Sequence, residues 1–205
     1  MSLHTGLLMI NTDVRDNLSD IFSRFDYVPV GSTKVNSFER AGQEMSYPRP
    51  DKPRNLVHKA VAIIEGWTVI IDPEMAMALE KELCTELSTE LGVKIFSMIC
   101  EGASGTYSFM LTENGEQRVF LSIEGEIHES KGSPIPEEEG INLETLFQDD
   151  VLLIMDKLGV DYSRIETCPE FDVWELDEGQ IEIPREYLDN TSKNEKKKKA
   201  WWKFW

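Results

Sequence analysis

Residues 93–130, VKIFSMICEGASGTYSFMLTENGEQRVFLSIEGEIHES, decide the fold. Three runs rich in apolar and β-branched residues, Val93–Cys100, Thr106–Thr112 and Gln117–Glu124, are followed by a shorter one, Glu126–Ser130. The connections Glu101-Gly102-Ala103-Ser104-Gly105 and Glu113-Asn114-Gly115-Glu116 are turn chemistry, and the second holds the Asn-Gly pair that suits a type I′ turn, where both central residues need positive φ. Links this short join antiparallel neighbours, because parallel strands need a longer crossover. The stretch predicts a β-meander.

Upstream, Asp72-Pro73 reads as an N-cap and first-turn proline. Met75, Leu79, Leu83, Leu87 and Leu91 then repeat at helical spacing until Gly92, so the pattern predicts a helix over Pro73–Leu91 with Leu83 and Leu87 buried. Before it, His58–Ile64 and Trp67–Ile71 flank Glu65-Gly66 and predict a hairpin. At the N-terminal end, a strand over Leu3–Ile10 leads to a helix capped at Asn11 or Thr12, with Val14, Leu18, Ile21, Phe22 and Phe25 on one face. A short strand, Tyr27–Val30, follows. Gly31–Asn55 is polar and broken by Gly42, Pro48, Pro50 and Pro53, which predicts a long loop with one strand around Ser37–Ala41.

Downstream, Lys131–Gly140 reads as a loop, and Leu143–Leu158 as a helix ending at Gly159 that offers Leu146, Phe147, Leu153, Ile154 and Leu158 for burial. Phe171–Leu176 reads as a last strand. The fold class is therefore α+β: a single domain over residues 1–189, with a mixed or mainly antiparallel sheet of about six to eight strands, a β-meander in the C-terminal half and about three packed helices. Residues 190–205 form a Lys/Trp-rich tail with too little hydrophobic pattern to fold alone, and are expected to be disordered.

The 205 residues carry a formal charge of −17, but residues 193–205 hold six lysines against one glutamate, which leaves −22 on residues 1–192. Such a body repels phosphate backbones and argues against nucleic acid as a partner; it favours a basic protein partner. Three separated cysteines, Cys84, Cys100 and Cys168, cannot form a complete intrachain disulfide set and point to a reducing compartment. Leu7–Ile10 lacks the basic flank and cleavage site of a secretory signal, and no run of about 20 apolar residues occurs, so no transmembrane segment is expected. The expected location is cytoplasmic.

No catalytic residue or cofactor is assigned. Gly102-Ala103-Ser104-Gly105-Thr106 has threonine where a nucleophile elbow needs its second glycine, and strands on both sides, so it reads as a hairpin turn. His4, His58 and His128 stand apart in sequence, and no metal site is expected. The nine carboxylates of Glu124–Asp150 lack the ligand pattern of a calcium loop, and the phosphate-binding glycine motifs do not occur.

Two features remain as candidate contacts. Glu82, Glu86 and Glu90 form an i, i+4 row on the helix before Gly92; the plain reading is a solvated face and the sharper one an anionic strip for a basic partner. Lys196, Lys197, Lys198, Lys199, Trp201, Trp202 and Trp205 have the chemistry of a weak contact with an anionic membrane surface, and equally of a segment that docks back on the acidic body. The expected function is a non-catalytic interaction protein, of the immunity or adaptor kind, that binds through its acidic surface. The alternative is an enzyme whose carboxylate or histidine site assembles only in the fold.

Overall fold

The computed structural model describes residues 3–46 and 55–179. Its elements in chain order are β1 (His4–Ile10), α1 (Leu18–Arg24), β2 (Val28–Val35), α2 (Phe38–Met45), β3 (Leu56–Ile64), β4 (Trp67–Asp72), α3 (Lys81–Leu91), β5 (Ile95–Glu101), β6 (Thr106–Glu113), β7 (Glu116–Ile123), β8 (Glu126–Lys131), α4 (Gln148–Lys157), α5 (Tyr162–Glu166) and β9 (Phe171–Asp177). Among the described residues nine strands form one sheet in the order β2-β9-β3-β4-β1-β5-β6-β7-β8. Every pairing is antiparallel. The expected α+β class and meander hold, while the strands exceed the expected six to eight and the α-helices the expected three.

The hairpins follow the turn residues. Glu65 and Gly66 take φ of 50° and 85°, and Glu124 and Gly125 take 54° and 79°, the two positive values a type I′ turn requires. Between the hairpin β3-β4 and the meander β5–β8 lies β1, which pairs with both β4 and β5. β4 and β5 thus run parallel to each other on either side of β1, and their connection has to cross one face of the sheet; α3 makes that crossing. β2 and β3 flank β9 in the same way, and α2 crosses between them.

Helices therefore cover both faces. Against one face, Ala41 and Met45 of α2, Val151, Ile154 and Met155 of α4 and Ile165 of α5 pack on Leu7, Met9, Val69, Phe96 and Met98. Against the other, Leu18, Ile21 and Phe22 of α1 and Cys84 and Leu87 of α3 pack on Leu8, Ile10, Ile70 and Ile95. This double covering explains why β1 and β4 read as unbroken apolar runs rather than alternating ones.

Several local expectations are corrected. Residues 31–46 are not loop: β2 continues to Val35, and Ser37, whose side chain accepts the backbone N–H of Arg40, caps α2. Phe38, Ala41 and Met45 supply the inward stripe, a helical spacing that the neighbouring glycine and prolines obscured; the remainder of the expected loop, 47–54, lies outside the described residues. The expected helix over Leu143–Leu158 breaks after a 3-10 turn at Leu143–Thr145 and resumes as α4. Phe147 and Leu153 face solvent, 59% and 43% exposed, while Val151 and Met155 are buried. The expected boundary at 189 and the tail 190–205 also fall outside the described residues. No helix among the described residues is long and apolar enough to cross a membrane.

Candidate functional site

The helix bearing the glutamate row starts later than the sequence suggests. Asp72 is the last residue of β4 rather than an N-cap, and one of its carboxylate oxygens accepts the Met77 N–H at 2.7 Å. The chain turns through Met75, at φ 61°, passes a 3-10 turn at Met77–Leu79 and enters α3 at Lys81. Gly6 on β1 lies beneath this turn: a Cβ there would sit 2.9 Å from the Asp72 carbonyl oxygen, so only glycine fits. Gly92, at φ 65°, closes the helix as expected.

The α3 surface then follows from its inner face. Leu87 and Cys84 are buried and Leu83 is partly buried against the same core. The Ser88 hydroxyl donates to the Val93 carbonyl at 2.7 Å, and the Gln117 amide donates to the Lys81 carbonyl at 3.0 Å, which fixes the helix's rotation on the sheet. Glu82, Glu86 and Glu90 consequently point outward and all three are exposed. Glu90 bonds Arg24 of α1 at 2.7 Å, tying together the two helices that cover this face.

Beyond that bridge the surface is short of positive charge. Arg15 is spent on Asp13 at 2.5 Å, and Lys81 on Glu129 of β8. Burial pushes the Glu129 carboxyl up, but bonds to Lys131 and Lys81 outweigh it and hold the carboxyl below its ordinary value. Among the described residues Asp20, Glu82 and Glu86 have no ion-pair partner. The arrangement is an acidic layer on a rigid, packed base.

The most buried charges are ones that the sequence reading did not single out. Lys59 on β3 is fully buried and bonds both Asp72 and Glu74, with its Nζ 5.2 Å from the centre of the Tyr27 ring. Burial by itself would lower the lysine pKa, but the carboxylates of Asp72 and Glu74 overcome it and raise it, so Lys59 stays protonated. Burial also pushes the Tyr27 hydroxyl up to about 12. A lysine held this way is neither a nucleophile nor a base. On the opposite face Arg118 of β7 makes a two-pronged pair with Glu138, at 2.6 and 2.9 Å, and also donates to the Lys131 carbonyl at 3.1 Å. Its guanidinium lies 5.8 Å from the ring centres of both Phe109 and Phe120. This pair fastens the segment after β8 to the sheet. In each case the available signal was one cation inside an apolar run: Lys59 in LVHKAVAII and Arg118 in QRVFL.

The remaining candidates do not converge. Ser104 sits on an exposed turn, its hydroxyl 2.8 Å from that of Thr106. His4 pairs with Glu101, His58 lies 3.3 Å from Glu175, and His128 is exposed on β8, so the three histidines occupy separate strands. No group of three metal-binding side chains occurs among the described residues. Cys84 and Cys100 are buried in the cores on opposite faces, and burial pushes both thiols up to about 12. Open grooves of about 450 Å³, at Lys34, Arg40 and Glu170, and about 410 Å³, at Ile135, Ile141 and Leu143, are lined without a shared catalytic set. The tail residues Lys196–Lys199, Trp201, Trp202 and Trp205 lie outside the described residues. A scan against protein-family models, a search of curated proteins and a search of solved structures each returned no match.

Proposed function

We propose that the protein binds a basic protein partner through the acidic outer surface of α1 and α3, with Glu82 and Glu86 as its unpaired carboxylates on α3. The observation that carries the reading is the charge imbalance on this layer: its cations, Arg15, Arg24 and Lys81, are each engaged with a carboxylate, while Asp20, Glu82 and Glu86 are left over. Helix α3 is held by its buried face and by the Ser88 and Gln117 bonds, so the row is presented on a backbone that needs no ordering when a partner arrives.

The sheet edges support docking through side chains rather than strand addition. β2 carries Pro29 and a bulge between Pro29 and Gly31, and β8 carries Glu126, Glu129 and Lys131, devices that discourage pairing with another strand. The alternative, an enzyme with a carboxylate or histidine site, draws no support from the Lys59 cluster, where Asp72 and Glu74 are engaged with the lysine.

Titration with a decalysine peptide tests the proposal. The double substitution Glu82→Lys and Glu86→Lys should weaken binding about tenfold at low salt, since two attractions become repulsions, and added salt should shrink the difference. Equal affinity for the two proteins at low salt overturns it.

A further inference from the structure

Arg118 of β7 is held from two sides by different parts of the chain. On the sheet side its Nη1 donates to the Ser130 hydroxyl at 3.0 Å and to the Lys131 carbonyl at 3.1 Å, both on β8. The rings of Phe109 on β6 and Phe120 on β7 wall the guanidinium, each with its centre 5.8 Å away. Three strands thus fix the group where it stands. Its other edge, Nε and Nη2, meets Glu138 at 2.6 and 2.9 Å. Two parallel N–H bonds from one guanidinium edge are the geometry by which arginine selects a planar carboxylate. We infer that residues 133–139 are a strap over a binding site for a monocarboxylate with an apolar body, and that Glu138 occupies the position of that ligand's carboxylate.

The strap is built for such an exchange. Gly132 and Gly140, both at φ 79°, bound it, and a Cβ on Gly132 would lie 2.1 Å from the Gln117 carbonyl oxygen, so the first bend is reserved for glycine. Between them only Glu138 is buried. Lys157 of α4, itself exposed, donates to the Glu137 and Glu139 carbonyls at 3.1 and 2.6 Å. The closed position also leaves Oε2 of Glu137 buried without a hydrogen-bond partner among the described residues, a cost that release of the strap removes.

The groove of about 410 Å³ supplies the apolar part of the site: Glu138 lines it together with Ile135, Ile141 and Leu143. That volume is in the range of small-molecule sites. Ile141 and Leu143 lie beyond Gly140 and pack on the core, so they remain as a wall when the strap moves. A free carboxylate that replaces Glu138 exchanges one ion pair for another, so Arg118 stays matched, and burial of the ligand's apolar body favours the exchange. Glu137 and Glu139, on either side of Glu138, repel a second anionic group and limit the ligand to one. The site is on the α4 side of the sheet, opposite α1 and α3, and does not depend on the acidic surface proposed above.

Calorimetric titration of the full chain with octanoate tests the assignment, with octanol as the uncharged control. Octanoate should bind the parent, and Glu138→Ala, which removes the tethered competitor, should bind it about tenfold tighter. Octanol should bind neither protein at the same concentrations. Equal binding of octanoate and octanol, equal octanoate affinity of the two proteins, or no octanoate binding by either overturns the inference. Because Glu138→Ala also takes a charged partner from Arg118, a second measurement uses the parent alone. The Ile135 N–H donates to a Glu138 carboxylate oxygen at 3.1 Å, and the Glu138 and Glu139 N–H groups bond within the strap. Saturating octanoate should speed hydrogen exchange at these three amides and leave those of β7 unchanged. Unchanged or slower exchange at the three overturns the strap.

Discussion

Lys59 and the α3 glutamates lie on the same face of one sheet, yet they meet opposite fates. Lys59 has no exposed surface and two carboxylates on its ammonium group, while Glu82 and Glu86 are exposed and have no cation. Arg118 repeats the first pattern on the other face, closed by Glu138. The buried Lys59 and Arg118 are matched because an unmatched charge is expensive away from water, whereas exposed charges such as Glu82 and Glu86 can stay unmatched because water tolerates them. The difference separates charges the fold has to match from charges it can leave for a partner, and it can be tested by removing charges at successive depths.

The deepest removal should cost most. Lys59→Met keeps the length of the side chain but leaves Asp72, itself fully buried, without its cation, and breaking such a pair costs about 3–5 kcal/mol. Urea unfolding should show that loss in the transition midpoint. A loss under about 1 kcal/mol would mean the cluster is not matched in the way described.

Glu138→Gln should come next. Its shape is retained, but Arg118 keeps only uncharged partners, so the loss is about 2–3 kcal/mol, and the segment 132–142 that Glu138 fastens should become open to protease. Unchanged stability together with unchanged cleavage would show that Ile135, Ile141 and Leu143 hold this segment without the ion pair.

The depth of a charge was also what the sequence could and could not show. Turn pairs such as Asn114-Gly115 and the stripe around Leu87 act through local geometry, so the meander, the hairpin and the α3 C-terminus were legible. Helix α2 was hidden because its Ser37 cap and its Phe38, Ala41 and Met45 stripe lie among turn-forming residues, and the Phe38 ring finds its partner, Phe171, at the far end of the chain. Asp72-Pro73 misled for a related reason: an aspartate before a proline suits a helix start, but a lysine thirteen residues earlier takes its carboxylate. The outward direction of Glu82, Glu86 and Glu90 was readable from spacing. The neutralisation of Lys81 and Arg24 was not, because Glu129 and Glu90 come from elements brought near only by the fold.

Glu178 stands between the two extremes and gives a test in pH. Burial pushes its carboxyl above the ordinary 4.5, and Glu74, Asp72 and Asp177 add to this against the pull of Lys59. The folded protein holds this proton more tightly than the unfolded chain does. The group's contribution is therefore complete below its unfolded pKa and is lost as pH rises through the higher folded one. Glutamine imitates the protonated form, so Glu178→Gln should melt higher than the parent at pH 7 and converge with it below about pH 4. A variant that melts lower at pH 7 would place Glu178 among the matched charges.

The smallest effect on stability should come from the charges proposed to matter most for binding. Glu82, Glu86 and Glu90 repel one another at i, i+4 spacing, by a few tenths of a kcal/mol per pair at an exposed helix surface. Only Glu90 recovers anything, through Arg24. Changing Glu82 and Glu86 to lysine therefore removes repulsion and no buried contact, and the unfolding free energy should stay within about 0.5 kcal/mol of the parent or rise slightly. The same protein is the one expected to lose decalysine. Weakened binding with full stability would show that the exposed row serves a partner and not the fold. A loss of several kcal/mol would instead put Glu82 or Glu86 in the same class as Asp72, and the contrast between inner and outer charge would fail at the place where it was drawn.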